Sequence, residues 1–144
     1  MNIMRMEKMF KGASELTNEV TLPEADVMRF VKMDKDFIGK DATQASIDSE
    51  LPWICSYLQI EPNGIEDGHG GEAVIYQNKV VGSTASVVFS HTVQKILAFA
   101  YIRPVAATPG TKLKVIIAGA ERDAVVLKEA AYDPESKLPR SDTI

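Results

Sequence analysis

At 144 residues with 45% apolar side chains, the chain can bury one real core, as one domain or as one small domain plus a fragment of another. A net charge of −4, spread over interspersed acids and bases, leaves no basic stripe and argues against nucleic acid as a partner. The single cysteine, Cys55, excludes an internal disulfide framework and a cysteine-based zinc site.

The N-terminal residues do not read as a secretory leader, because Arg5, Glu7 and Lys8 interrupt the apolar run. No apolar stretch approaches the ~20 residues that cross a bilayer. The expectation is a soluble, cytoplasmic protein with no membrane partner. Residues 2–10 place Ile3, Met4, Met6, Met9 and Phe10 on one face of a short helix, with Arg5 and Lys8 opposite. Such a face needs something to cover it. Residues 11–24 have no clear period and read as a loop. Residues 25–33 read as a short helical turn leading into a strand. Residues 37–51 form a better helix, begun at Asp36 or Gly39, striped by Ile38, Ala42, Ala45 and Ile47, and stopped by Pro52.

From there the pattern changes to strands: 53–60, 73–77, 79–88, 96–103, 112–118 and 124–130. A tight turn is expected at Gln77-Asn78-Lys79, a break at Ser90-His91-Thr92, and further turns at Pro104, Pro109-Gly110 and Gly119-Ala120-Glu121. Short strands at regular spacing predict a small antiparallel barrel or sandwich. The fold class is therefore mainly β: a small antiparallel β-barrel preceded by an α-helical and irregular segment.

No residue set assembles an active site by itself. His69, near Glu66 and Asp67, lacks the companions a metal needs. His91 next to Ser90 reads as a turn residue capping Thr92 to Lys95, since chain neighbours rarely face each other as a catalytic pair. Cys55 in an apolar strand reads as a small buried hydrophobe. Gly68-His69-Gly70-Gly71 lacks the strand–loop–helix context of a phosphate loop. Glu7, Glu15, Glu19 and Glu24 read as a solvated face.

An ordered series of motifs then carries a resemblance. Asn2-Ile3-Met4-Arg5-Met6-Glu7-Lys8 resembles the N-S-x-R-x-E-K/A segment of aminomethyltransferase-like folate domains, which also occurs in dimethylglycine and sarcosine dehydrogenases. Asp36-Phe37-Ile38-Gly39-Lys40 resembles the joint between that domain and a C-terminal barrel. Gly71-Glu72-Ala73-Val74, Val81-Gly82-Ser83-Thr84-Ala85-Ser86, Phe89-Ser90-His91-Thr92, Ala98-Phe99-Ala100-Tyr101-Ile102 and Tyr132-Asp133-Pro134 resemble the barrel's own marks, in order. Val87-Val88 and Ala73 depart from the glycine-cleavage T-protein pattern and suit the FAD-linked dehydrogenases of N-methylated glycines better.

The resemblance implies that residues 1–51 end a folate-binding domain and supply a linking helix, while residues 52–144 form the C-terminal barrel. It implies a parent dehydrogenase that passes a one-carbon unit from a methylated amine to tetrahydrofolate. FAD would be held elsewhere in that parent, and this portion would be inactive alone. At the folate site it places Arg5, a guanidinium suited to the folate carboxylates, with Glu7 beside it. An Arg5 salt bridge to Glu7, or to an acid missing from this chain, is the structural alternative. Arg140 is a candidate on charge alone. The alternative function is a stand-alone, non-catalytic barrel binding a partner protein or small ligand. A fragment should expose Met4, Met6, Met9 and Phe10 and form a homo-oligomer through that Met-rich face. A stand-alone module should bury them.

Overall fold

Runs of Val, Ile and aromatic residues cut by tight turns favour a sheet that closes on itself. The structure, a computed structural model, describes residues 2–64 and 68–140. Its strands are β1 (Ile54–Ile60), β2 (Ala73–Tyr76), β3 (Lys79–Ser90), β4 (Lys95–Ile102), β5 (Lys112–Ile117) and β6 (Ala120–Leu127). They close into an antiparallel barrel in the order β1-β4-β3-β2-β5-β6. The expected mainly β architecture, with a short helical and irregular N-terminal segment, is what forms.

Two turns are tighter than the sequence suggests. Gln77 and Asn78 both take left-handed φ values, 50° and 62°, so the hairpin closes in two residues and Lys79 already pairs with Tyr76. This handedness matches the twist of the flanking strands. Ala118 (φ 51°) and Gly119 (φ 78°) do the same between β5 and β6. As a result β6 starts at Ala120 rather than the expected Ala124, and it ends at Leu127 rather than 130. At Gly82 an added Cβ would lie 2.0 Å from the Tyr101 carbonyl oxygen, so glycine is what lets β3 and β4 approach there. The β3–β4 register steps at Ala85, with Thr84 opposite Ala100 and Ser86 opposite Phe99. The shortest ladder joins β2 to β5, at Val74–Val115 and Ile75–Lys114.

β1, β4 and the second half of β3 bury nearly every position because both of their faces are covered. Inside the barrel, Leu58, Ile60, Val87, Phe89, Ile96 and Ala98 pack with Val115, Ile117 and Val126. On the outside, Cys55, Tyr57, Val88, Leu97 and Phe99 pack with Met6. By contrast β5 alternates exposed and buried positions, as a strand with one wet face does.

The outer cover is α1 (Asn2–Glu7). Six residues do not hold a helix in water, so packing must hold this one. Met6 is fully buried, Ile3 and Met9 pack beside it, and Met4 and Phe10 stay 70% and 61% exposed. The expected single apolar face is thus split. Residues 11–24 form no helix or strand, as expected for a loop. Residues 25–33 contain one 3₁₀ turn, Met28–Phe30, and no strand follows, although Val31 is extended. The second helix, α2, is shorter than expected (Lys40–Asp48) and starts after Gly39, whose φ of 90° suits glycine. None of its residues is buried, and Ile38 is fully exposed, so the anticipated stripe is not covered among the described residues.

Candidate functional site

The candidate site is the seam between α1, the loop that follows it, and the outer face of β1, β3 and β4. Arg5 organises it. The Arg5 Nε donates to Asn2 Oδ1 at 2.7 Å, and Nη1 donates to the Phe10 carbonyl and to Glu15 Oε2, both at 2.9 Å. Nη2 reaches Glu15 Oε1 at 3.5 Å and Ser86 Oγ at 3.4 Å. The carboxylate of Glu15 has no exposure and also accepts from the Gly12 amide at 2.6 Å and from the Ser86 hydroxyl. A buried carboxylate is tolerated when its lone pairs are filled in this way.

Glu15 was expected on a solvated face, and the structure corrects that. It is the acid that pairs with Arg5, a role the sequence reading left to Glu7 or to an acid missing from this chain. Glu7 is also buried, 6% exposed. Its carboxylate accepts from Ser90 Oγ at 2.6 Å. The same serine oxygen accepts from the Val93 amide at 3.0 Å, so Ser90, not His91, caps that turn. The Tyr57 hydroxyl donates to the Met6 carbonyl at 2.6 Å, and the Tyr101 hydroxyl donates to the Glu15 carbonyl at 2.6 Å. Burial pushes both phenols above their ordinary range, so both stay protonated donors. At the end of α1, Lys8 Nζ donates to the carbonyl of Asp133 at 2.6 Å and to its Oδ2 at 2.8 Å. The Lys8 hydrogen bond holds the Asp133 carboxyl below its usual value.

The remaining sequence candidates stand apart from this seam. The amides of His69 and Gly70 donate to the Glu72 carboxylate, at 2.6 and 3.1 Å, and the Thr84 hydroxyl donates to it as well. The glycine-rich loop is therefore an anion nest filled by the chain's own carboxylate. Burial raises the Glu72 pKa, but these hydrogen bonds outweigh burial and leave it lowered. Glu66 and Asp67 lie outside the described residues. Among the described residues no three His, Cys, Asp or Glu side chains gather as a metal site. The Cys55 thiol is buried, and burial pushes its pKa up to about 12, so it behaves as a hydrophobe. His91 stacks edge-on against Phe89 at 5.1 Å. Arg140 ends a 3₁₀ turn in the tail and is exposed.

A cleft of about 400 Å³ opens beyond the C-terminal end of α1, between Lys8, Phe10, Asp26, Arg29 and Lys128. It shares Phe10, Asp26 and Arg29 with a smaller groove of about 280 Å³. Sequence reasoning placed Met9 and Phe10 on an apolar helix face but missed the clefts they line, because Asp26 and Arg29 come from a segment with no clear pattern. It missed Ser86 and Ser90 too, although the hydroxyl residues within the apolar β3 run were the available signal.

Comparison with known proteins agrees with the barrel fold. Residues 56–133 match the glycine cleavage T-protein C-terminal barrel domain. Human mitochondrial dimethylglycine dehydrogenase is 36% identical over 132 residues, covering 90% of this chain and 15% of that protein. A probable aminomethyltransferase of Natronomonas pharaonis is 31% identical over 110 residues, covering 76% of this chain and 30% of that protein. The crystal structure of the glycine cleavage system aminomethyltransferase T from Bartonella henselae superposes with a TM-score of 0.79 at 17% identity, covering 92% of this chain and 38% of that one. The chain thus spans a minor part of these relatives' length. No helix among the described residues is long and apolar enough to cross a membrane. With its closed barrel and its matched residues, the chain belongs to the glycine cleavage T-protein C-terminal barrel domain family.

Proposed function

We propose that this chain is the C-terminal folate-module portion of an FAD-dependent dehydrogenase of N-methylated glycines, of the dimethylglycine or sarcosine type, that passes a one-carbon unit to tetrahydrofolate. In this reading residues 1–51 end the folate-binding domain and residues 52–144 are the barrel that braces it. FAD and the methylated-amine substrate engage parts of the parent outside this chain, and the chain alone is inactive. Nucleic acid and membrane are not partners in this reading, and the compartment is the cytoplasm, with the mitochondrion of the named dehydrogenases as the alternative.

The observation that carries the reading is the clamp on α1. Arg5, Glu15 and Ser86 join the helix to β3 across the outer face of the barrel. A wall of the folate cavity needs such a fixed orientation. Tetrahydrofolate, when bound, supplies the amines that accept the one-carbon unit. The Arg5 donors already serve Asn2, Phe10, Glu15 and Ser86, yet its side chain keeps 22% exposure. In this reading Arg5, whose five N–H groups are already engaged, would fix the wall of the folate cavity and offer the folate carboxylates its charge rather than a free donor, while Glu7 would hold α1 in place through Ser90.

Titration calorimetry of tetrahydrofolate into the purified chain tests this. The expected result is saturable binding that Arg5→Ala weakens about tenfold or more, a loss of about 1.4 kcal/mol, with the barrel's circular dichroism unchanged. Heats no larger than dilution would sink the folate contact. One observation favours the second reading, a stand-alone non-catalytic barrel: Met6 is sealed against the chain's own barrel, as a self-sufficient module requires, although Met4 and Phe10 stay exposed, as a fragment's would.

A further inference from the structure

Beyond β6 the chain returns to α1 and folds into a small hook. Asp133 and Ser136 both take left-handed φ values, 42° and 51°, a region that aspartate tolerates better than most residues. The hook is closed by its own bonds. The Ser136 amide donates to the Asp133 carbonyl at 2.9 Å, and the Lys137 amide donates to Asp133 Oδ1 at 2.8 Å. The bend turns three oxygens toward one point: the Asp133 carbonyl, Asp133 Oδ2 and Ser136 Oγ. The Lys8 ammonium occupies that point, at 2.6, 2.8 and 3.4 Å, with the Tyr132 ring centroid 5.6 Å away. An ammonium has three protons to donate, so the hook takes all of them. The Lys8 and Asp133 side chains are 23% and 9% exposed, unlike an ordinary pair held out in water. The backbone is tied as well. The Tyr132 amide donates to the Glu7 carbonyl at 3.1 Å, and Ala131 packs against the cluster around Met6.

We propose that residues 131–137 are a latch that sets the position of α1 on the barrel, with Lys8 and Asp133 as positioning residues for Arg5. Arg5 and Lys8 are three residues apart, close to one helical turn, and the Lys8 amide still donates to the Met4 carbonyl at 3.3 Å. A rotation of α1 that withdraws Lys8 from the hook therefore also swings Arg5 away from Glu15 and Ser86. A helix of six residues keeps only the geometry its ties impose. The Arg5–Glu15–Ser86 clamp ties it to β3, and the hook ties its far end to the segment leaving β6. One tie leaves a pivot, whereas two ties at separate points fix a direction. The consequence for binding rests on the folate reading: the latched helix presents the Arg5 charge to the folate carboxylates, and an unlatched helix does not.

Amide exchange of the full chain, followed residue by residue by NMR, tests the latch without folate. The amides to read are Tyr132 and Phe10, the latter bonded to the Arg5 carbonyl at 2.8 Å. Lys8→Met should speed exchange at both about tenfold or more, and Asp133→Asn, which keeps the left-handed φ, about threefold or more. The β4 amides should keep their protection. The double variant should exchange no faster than Lys8→Met, because one interaction is removed twice, and Lys8→Arg should restore most of the protection. Lys137→Met is the control: it breaks an exposed pair with Glu135 in the same segment and should change nothing. Unchanged exchange at Phe10 in Lys8→Met would overturn the latch. So would an equal loss of protection in β4, or additive effects in the double variant. Tetrahydrofolate titration then separates the two readings. In a chain that binds, Lys8→Met should weaken binding about threefold or more and Lys8→Arg should restore it; equal binding in Lys8→Met would overturn the positioning role. A chain that binds no folate, while its exchange responds as stated, would sink the folate reading and leave the latch standing.

Discussion

The barrel interior and the seam under α1 are both buried, but they are held by different means. The interior is filled by aliphatic and aromatic side chains that alternate with the strand pleat. The seam combines a small apolar cluster around Met6 with buried polar links: Arg5–Glu15–Ser86, Glu7–Ser90 and Tyr57 to the Met6 carbonyl. Apolar packing is forgiving about direction, because any well-filled arrangement serves. A buried hydrogen-bonded pair is not, because a misplaced partner leaves a desolvated charge. The difference suggests that the barrel specifies its own closure and the polar links specify where the helix sits on it.

The largest expected effect is inside the barrel. Leu58→Ala should cost about 3–5 kcal/mol, lower the urea midpoint, and release barrel and helix together. If α1 detached first, the barrel would not be the independent unit. Glu15→Ala comes next, at about 1–3 kcal/mol for the polar groups it strands. Its signature should be regional: hydrogen exchange should speed up in residues 2–16 while β4 keeps its protection. Uniform loss of protection would place Glu15 in the global core instead. Tyr57→Phe removes one donor and should cost about 0.5–1.5 kcal/mol, again seen first at α1.

The smallest effect sharpens the contrast through pH. The Glu72 carboxyl is lowered, so the stability it contributes is present above its unfolded value and is lost as pH falls through the folded one. His69 and Gly70 amides should therefore gain exchange in the acid region below the ordinary 4.5, and Glu72→Gln should abolish that acid dependence. An unchanged profile in the variant would place the titration on another group.

Much of the barrel was legible because its signals are local. Val-, Ile- and aromatic-rich runs separated by turn residues define β1 to β5, and Gln77-Asn78 supplies the left-handed pair a tight hairpin needs. The start of β6 was not legible, since Ala118 takes a left-handed φ that alanine seldom adopts. The seam was half legible. Arg5 and Glu7 were singled out, but Glu15 passed as a surface acid. Its hydroxyl partner Ser86 is 71 positions away along the chain, and no periodicity encodes a polar pair at that distance. The α2 stripe misled for the opposite reason: its spacing is that of a packed helix, but none of its residues is buried among the described residues.

The β2–β5 ladder has a mechanical consequence. A cylinder under tension splits along the join with the fewest bonds, and here that join is Val74–Val115 and Ile75–Lys114. Pulled apart or thermally agitated, the wall should tear there first and unroll as one curved sheet still hinged through β4. Its two raw margins would then be β2 and β5. The integrity of the whole cylinder therefore rests on a fastening only two residue pairs long.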